Sequence, residues 1–198
     1  VVKTRMDILI PALPLLRLLT RLLLVLLLLP AAVRAADPAV AFFYGPQPPW
    51  DELRAFDVVV VDPDHSGTDP RQREQADSRV FAYVSVGEVH PSRPWFAEVP
   101  KRWQVGENKP WGSVVVDQSR PEWPAFFVDT VIAPLWDKGY RGFFLDTLDS
   151  WHLVAKTPEA RSRQQAGLVA VIRLLKQRFP EARLIFNRGF EILPEVHD

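Results

Sequence analysis

The chain has 198 residues, with 24 basic and 24 acidic side chains, nineteen prolines and no cysteine, which excludes a disulfide-held scaffold. Its charge is unevenly spread: residues 1–35 hold five basic residues (Lys3, Arg5, Arg17, Arg21, Arg34) and one acid, Asp7, leaving 19 basic against 23 acidic residues in the rest. The remaining chain thus carries about −4 with histidines neutral, which argues against nucleic acid as a partner and is compatible with a cationic one.

The first segment reads as a cleaved signal peptide over residues 1–35. Lys3 and Arg5 give a positive start, Leu22–Pro30 is almost purely aliphatic, and Val33-Arg34-Ala35 offers a small-residue cleavage site. An uncleaved anchor is disfavoured, because Arg17 and Arg21 cut the apolar stretch to twelve residues while a span needs about 20. The expected location is therefore periplasmic or secreted. Residues 36–198 then form one domain, with no repeat or linker.

Short apolar runs alternate with helical stretches from here on. Val40–Tyr44 ends at Gly45-Pro46, and Trp50–Ala55 suits a short helix. Asp57–Val61 ends in Asp62-Pro63, and Val80–Val86 ends at Gly87-Glu88. A long connection follows from Val89 to Pro121, holding Trp95, Phe96, Trp103, Trp111 and a short apolar run, Val114–Val116. Glu122–Lys138 has a helical apolar pattern, with Pro134 placed to kink it. Gly142–Leu145 delivers Asp146. Pro158–Phe179 reads as a long helix with proline in its first turn, and Arg183–Phe186 runs into Asn187.

The strand-like runs are continuously apolar rather than alternating, as expected for strands buried on both faces of a parallel sheet. Helices between them give an α/β fold with right-handed crossovers. Every strand ends in a polar or acidic cluster, which points to a (β/α)8 TIM-type barrel, whose chemistry sits on the loops after the strand C-termini. A doubly wound sheet would show a Gly-rich phosphate turn after its first strand, and Gly45-Pro46-Gln47-Pro48-Pro49 is nothing like one. A full barrel needs eight strands and about 250 residues, so the sequence reads as a barrel truncated after about the fifth strand.

Asp146 is the strongest candidate catalytic residue. An apolar strand carries its carboxylate to the barrel mouth, and Asp149 and Trp151 follow at once. Two carboxylates can cleave a glycosidic bond, one as nucleophile and one as acid/base. Glu88 is next, with Tyr83 and Ser85 on one face of its strand; Tyr44 and Asp62 end the first two strands. The run Asp62-Pro63-Asp64-His65 lacks a second His or Cys set and reads as a polar loop, so no metal and no cofactor are expected. Asn187 faces the site after the fifth strand, Arg188 and Glu191 are placed to pair with each other, and Glu191 and Glu195 read as the start of a following helix.

The segments FFYGPQPPWDELRAFDVVVVDP, AYVSVGE, GYRGFFLDTLDSW and LIFNRGFEILPEVHD resemble the endo-α-1,4-polygalactosaminidase family of glycoside hydrolases over nearly the whole chain after the leader. The resemblance implies an exported (β/α) barrel that cleaves α-1,4-linked galactosamine or N-acetylgalactosamine polysaccharide in exopolysaccharide processing and biofilm formation. Asp146 would be one acid and a glutamate after a later strand, beyond Asp198, the other, with a deacetylase domain sometimes following. Tyr44, Asp62, Tyr83, Ser85, Glu88, Asp149 and Asn187 would bind the sugar. The implied partners are a cationic galactosamine-rich polysaccharide and other exopolysaccharide export proteins. A non-catalytic glycan-binding component of an export complex and a glycosidase for another sugar stand as alternatives.

Overall fold

A computed structural model describes residues 37–67 and 79–197; the leader read over residues 1–35 lies outside them. In chain order the strands are β1 (Val40–Phe43), β2 (Val58–Val61), β3 (Arg79–Ser85), β4 (Glu88–Val89), β5 (Gln104–Asn108), β6 (Ser113–Val116), β7 (Gly142–Asp146) and β8 (Arg183–Phe186). The helices are α1 (Trp50–Leu53), α2 (Trp123–Phe127), α3 (Ala133–Asp137), α4 (Pro158–Arg178) and α5 (Leu193–Val196).

The five strands read from the sequence form one sheet in the order β1-β2-β3-β7-β8, and all four pairings are parallel. Parallel neighbours all end at the same side, so Tyr44, Asp62, Ser85, Asp146 and Asn187 line one edge. The ladder extends past the strand ends to hold them there. The Asp62 amide donates to the Phe43 carbonyl at 3.3 Å, Val86 to Asp146 at 3.0 Å, and Asn187 to Leu145 at 2.9 Å. Neither β1 nor β8 has a second strand partner among the described residues, so the sheet is open, as in a truncated barrel.

One face of this sheet packs on helices. Val59, Val61, Ala82, Phe143 and Leu145 have no exposure, and they cluster with Trp123 and Phe127 of α2 and Leu168, Ile172 and Leu175 of α4. Each valine, leucine, isoleucine or phenylalanine among them stabilises the fold by about 1.5–3 kcal/mol through apolar burial. The opposite face carries a smaller cluster of Val58, Val60, Phe81 and Phe144, edged by Tyr83 and Ile185. Phe81 sits in register with Gly142, where a Cβ would come within 2.6 Å of the Phe81 ring. The glycine makes room for that ring to lie across the strand.

Helix α4 starts at a cap written in the sequence: the Thr157 hydroxyl accepts from the Ala160 amide at 3.2 Å, with Pro158 in the first turn. The stretch expected as one helix over Glu122–Lys138 is α2 and α3 joined by a π turn, Val128–Ile132. Pro134 cannot donate to the carbonyl four residues back, and a wider turn there relieves the misfit that would otherwise kink the helix.

The long connection after Val89 is more ordered than its sequence suggests. Strands β4, β6 and β5 form a separate antiparallel sheet with a bulge between Gln104 and Gly106. Residues of β5 alternate between half-buried and exposed, and Trp103 lies in the main core against Trp123 and Phe126.

Candidate active site

Asp146 ends β7 between two donors from neighbouring strands. The Tyr83 phenol of β3 donates to Asp146 Oδ2 at 2.7 Å, and Asn187 Nδ2 donates to Oδ1 at 2.8 Å from the end of β8. Both carboxylate oxygens are thus oriented by side chains that the parallel register brings to one edge. Tyr44 joins them from β1, its ring 5.1 Å from that of Tyr83. Phe42 and Phe144 continue the aromatic surface, edge to face at 5.2 Å.

Burial, then the Asp146 charge and its hydrogen bond, raise Tyr83 above the ordinary tyrosine range, with Arg93 acting the other way. Burial, followed by the Asp146 and Asp62 charges, pushes Tyr44 up to about 12. Both phenols therefore stay protonated and remain donors at any physiological pH.

Asp62 is buried and faces a cation that the sequence reading did not single out. Arg93 forms a fork with it, Nη1 to Oδ1 and Nη2 to Oδ2 at 2.9 Å each, and Nη1 also reaches Asp64 at 2.8 Å. Burial opposes the Arg93 charge, but the two carboxylates outweigh it and hold the guanidinium firmly protonated. Its carbon lies 5.7 Å from the centre of the Tyr83 ring, so the ion pair backs the phenol that holds Asp146. No sequence pattern links Asp62 to a residue 31 positions away.

Glu88 is buried too, at 4% exposure, and begins β4. Asn108 donates to its Oε1 at 2.9 Å, and the hydroxyls of Ser113 and Ser150 also donate to it. Ser85 reaches the Glu88 carbonyl at 2.7 Å and the Thr147 hydroxyl at 2.8 Å. These side chains join the second sheet to the end of β7. Asp149 is partly exposed and lies 3.4 Å from Arg188, so Arg188 pairs with Asp149 rather than with Glu191. That exposed pair contributes little stability.

Backbone strain gathers at the same edge. The non-glycine residues with positive φ among those described are Gln47, Thr147 and Arg188, and each lies in a connection leaving the C-terminal end of a strand. Thr147 directly follows Asp146 and Arg188 directly follows Asn187. A left-handed L-residue costs roughly 1–2 kcal/mol and a β-branched one is unusual there, so such residues persist where the surroundings fix them.

A cavity of about 280 Å³ adjoins the site, walled by Tyr83, Glu88, Arg93, Trp95, Thr130 and Pro134. Asp146 does not line it. Of the four loop aromatics, Trp103 is core, Trp95 and Phe96 are half-buried, and Trp111 stands 76% exposed. Among the described residues no group of three or more metal-ligating side chains is assembled.

A carboxylate at the C-terminal edge of a parallel sheet, oriented by a phenol and an amide, fits glycosidic chemistry, and residues 31–198 match glycoside-hydrolase family GH114. The chain belongs to that family. Among solved structures similar to this GH114 chain is the glycoside hydrolase domain of PelA from Pseudomonas aeruginosa, 37% identical with a TM-score of 0.69. The match covers 81% of this chain and 64% of that one. Ega3 of Aspergillus fumigatus, solved in complex with galactosamine, is 16% identical at a TM-score of 0.64, covering 81% and 63%, a likeness of fold. An uncharacterized protein of Thermotoga maritima is 23% identical over 160 residues, covering 70% of this chain. The chain spans about half (48%) of that relative's length. The family resemblance and the barrel-type α/β fold expected from the sequence are borne out by these matches.

Proposed function

We propose that this chain carries one catalytic half of an endo-acting glycoside hydrolase that cleaves α-1,4-linked galactosamine or N-acetylgalactosamine polysaccharide. The observation that carries the reading is Asp146, with one oxygen held by Tyr83 and the other by Asn187 at the C-terminal strand edge. Asp146 acts as nucleophile or as stabiliser of the oxocarbenium-like transition state. Its acid/base partner is a glutamate on a later strand of the complete protein, as the family resemblance implies, about 5 Å away in a retaining mechanism. Tyr44, Asn187 and Asp149 meet the sugar. The buried Asp62 and Glu88, with Ser85, shape the site from beneath, since their polar atoms are engaged by Arg93, by Asn108, Ser113 and Ser150, and by Thr147.

The substrate class is supported by the 37% identity to the PelA hydrolase domain and by the galactosamine bound to the similarly folded Ega3. A net charge of about −4 after the leader suits a partly deacetylated, cationic polymer. The leader-like segment supports export to the periplasm or beyond, where exopolysaccharide is processed.

The test is reducing-end release from a galactosamine-rich glycan by the complete protein and its Asp146→Asn variant. The variant is expected to lose activity by about 10⁴-fold while keeping its fold and affinity, because an amide keeps the shape of the carboxylate but not its charge. Undiminished cleavage by the variant would move the chemistry elsewhere. Cleavage of other glycans in a substrate panel, with none of the galactosamine polymer, would replace the substrate.

A further inference from the structure

We propose that Thr147 is a positioning residue whose hydroxyl, held in a left-handed backbone, fixes the point at which β7 presents the Asp146 carboxylate. The proposal rests on the reading of Asp146 as the catalytic carboxylate. It starts from an oddity of conformation: a β-branched residue sits at φ 60° immediately after that carboxylate. Nothing in its sequence neighbourhood marks the position as one for glycine or asparagine.

The left-handed turn brings the Thr147 side chain back toward the strand it has just left. Its Oγ1 lies 2.7 Å from the Asp146 carbonyl oxygen, accepts from the Gly87 amide at 2.9 Å, and lies 2.8 Å from Ser85 Oγ. The Asp146 carbonyl also accepts from the Val86 amide at 3.0 Å. One hydroxyl therefore joins the end of β7 to the turn that leaves β3. The two backbones are also in direct contact there, since a Cβ on Gly87 would fall 2.3 Å from the Thr147 carbonyl oxygen. Tyr83 and Asn187 orient the carboxylate group, whereas Thr147 sets the backbone from which it projects.

Three substitutions in the complete protein separate the hydroxyl from the backbone. Thr147→Val keeps size and branching but removes the hydroxyl; Thr147→Ser keeps the hydroxyl; Thr147→Gly accepts the left-handed turn freely but has no hydroxyl. On a galactosamine polymer, Thr147→Val is expected to lose about 100-fold in kcat with KM changed less than about threefold, the size expected of a small misplacement of a reacting group. Thr147→Ser should stay within about threefold of the parent. Thr147→Gly should be as slow as the valine variant while melting no lower than the parent, a split that a purely structural role would not produce.

The proposal is overturned if Thr147→Gly turns over at the parental rate, or if Thr147→Ser falls as far as Thr147→Val. Should the valine variant not fold, the serine and glycine variants still decide it. Crystal structures give a second reading: with Thr147→Val or Thr147→Gly the Asp146 carboxylate should leave its 2.8 Å contact with Asn187, and with Thr147→Ser it should not. An unmoved carboxylate in all three overturns the proposal. If the parent protein cleaves no galactosamine polymer, the functional reading fails, and the crystallographic comparison still settles whether Thr147 places Asp146.

Discussion

The two faces of the central sheet are stabilised by different physics. On the helix-covered face, Val59, Val61, Ala82, Phe143 and Leu145 are fully enclosed and carry no polar atom beyond the backbone. On the other face Phe42 is 51% exposed, and the order of the side chains comes increasingly from charge and hydrogen bonding toward the strand ends. Volume governs the first face. Partner geometry governs the second and the strand-end edge to which it leads, and the left-handed non-glycine residues lie beside that edge rather than in the core.

The sharpest contrast comes from cutting one aromatic on each face. Phe143→Ala should destabilise the protein by about 4 kcal/mol in urea unfolding, because a fully enclosed ring leaves a cavity. Phe42→Ala should change stability by less than about 1 kcal/mol, since half of its ring already meets solvent. Equal costs would erase the distinction.

Next in size is Arg93→Met, expected to cost about 3 kcal/mol by leaving the Asp62 carboxylate buried without its cation. Adding Asp62→Asn should recover part of that loss. If the double substitution is as unstable as the sum of the two single ones, the pair is not coupled and Asp62 is held by something else.

The smallest effect is one of pH. Because the folded state raises Tyr44 to about 12 from an unfolded value near 10, its contribution is complete below about pH 10 and fades as pH rises toward 12. Tyr44→Phe should therefore lessen the alkaline loss of stability measured by urea midpoints over that range, with Tyr83, also raised, supplying the remainder. A variant that loses stability as steeply as the parent would assign the alkaline limb to another group.

The covered face was legible in the sequence because continuous apolar runs have one economical use, burial between layers, and their polar ends marked the strand C-termini. Asp146 and Asn187 could be placed at the strand-end edge for the same reason, where Tyr83 also meets Asp146. The antiparallel sheet was harder: β4 has two residues, and Gln104-Val105-Gly106-Glu107-Asn108 has no apolar face to reveal itself. Arg93 escaped notice because an ion pair across 31 residues depends on folding for its existence. The pairing of Arg188 with Asp149, 39 residues back, depends on folding in the same way.

The π turn between α2 and α3 has a consequence for the phase of the whole helical segment. Trp123, Phe127, Val131 and Leu135 recur every four residues and all are buried. In an unbroken α-helix of 3.6 residues per turn, such a repeat drifts by about 40° each time, or about 120° from Trp123 to Leu135. That rotation would carry Leu135 away from the packed side. One turn holding an additional residue sets the phase back by about 100° and cancels most of the drift. A period-four apolar stripe and a π turn are thus two halves of one solution: straightening Val128–Ile132 with every residue kept would rotate α3 relative to α2, whereas deleting one residue there would leave a plain α-helix with Leu135 still on the packed side.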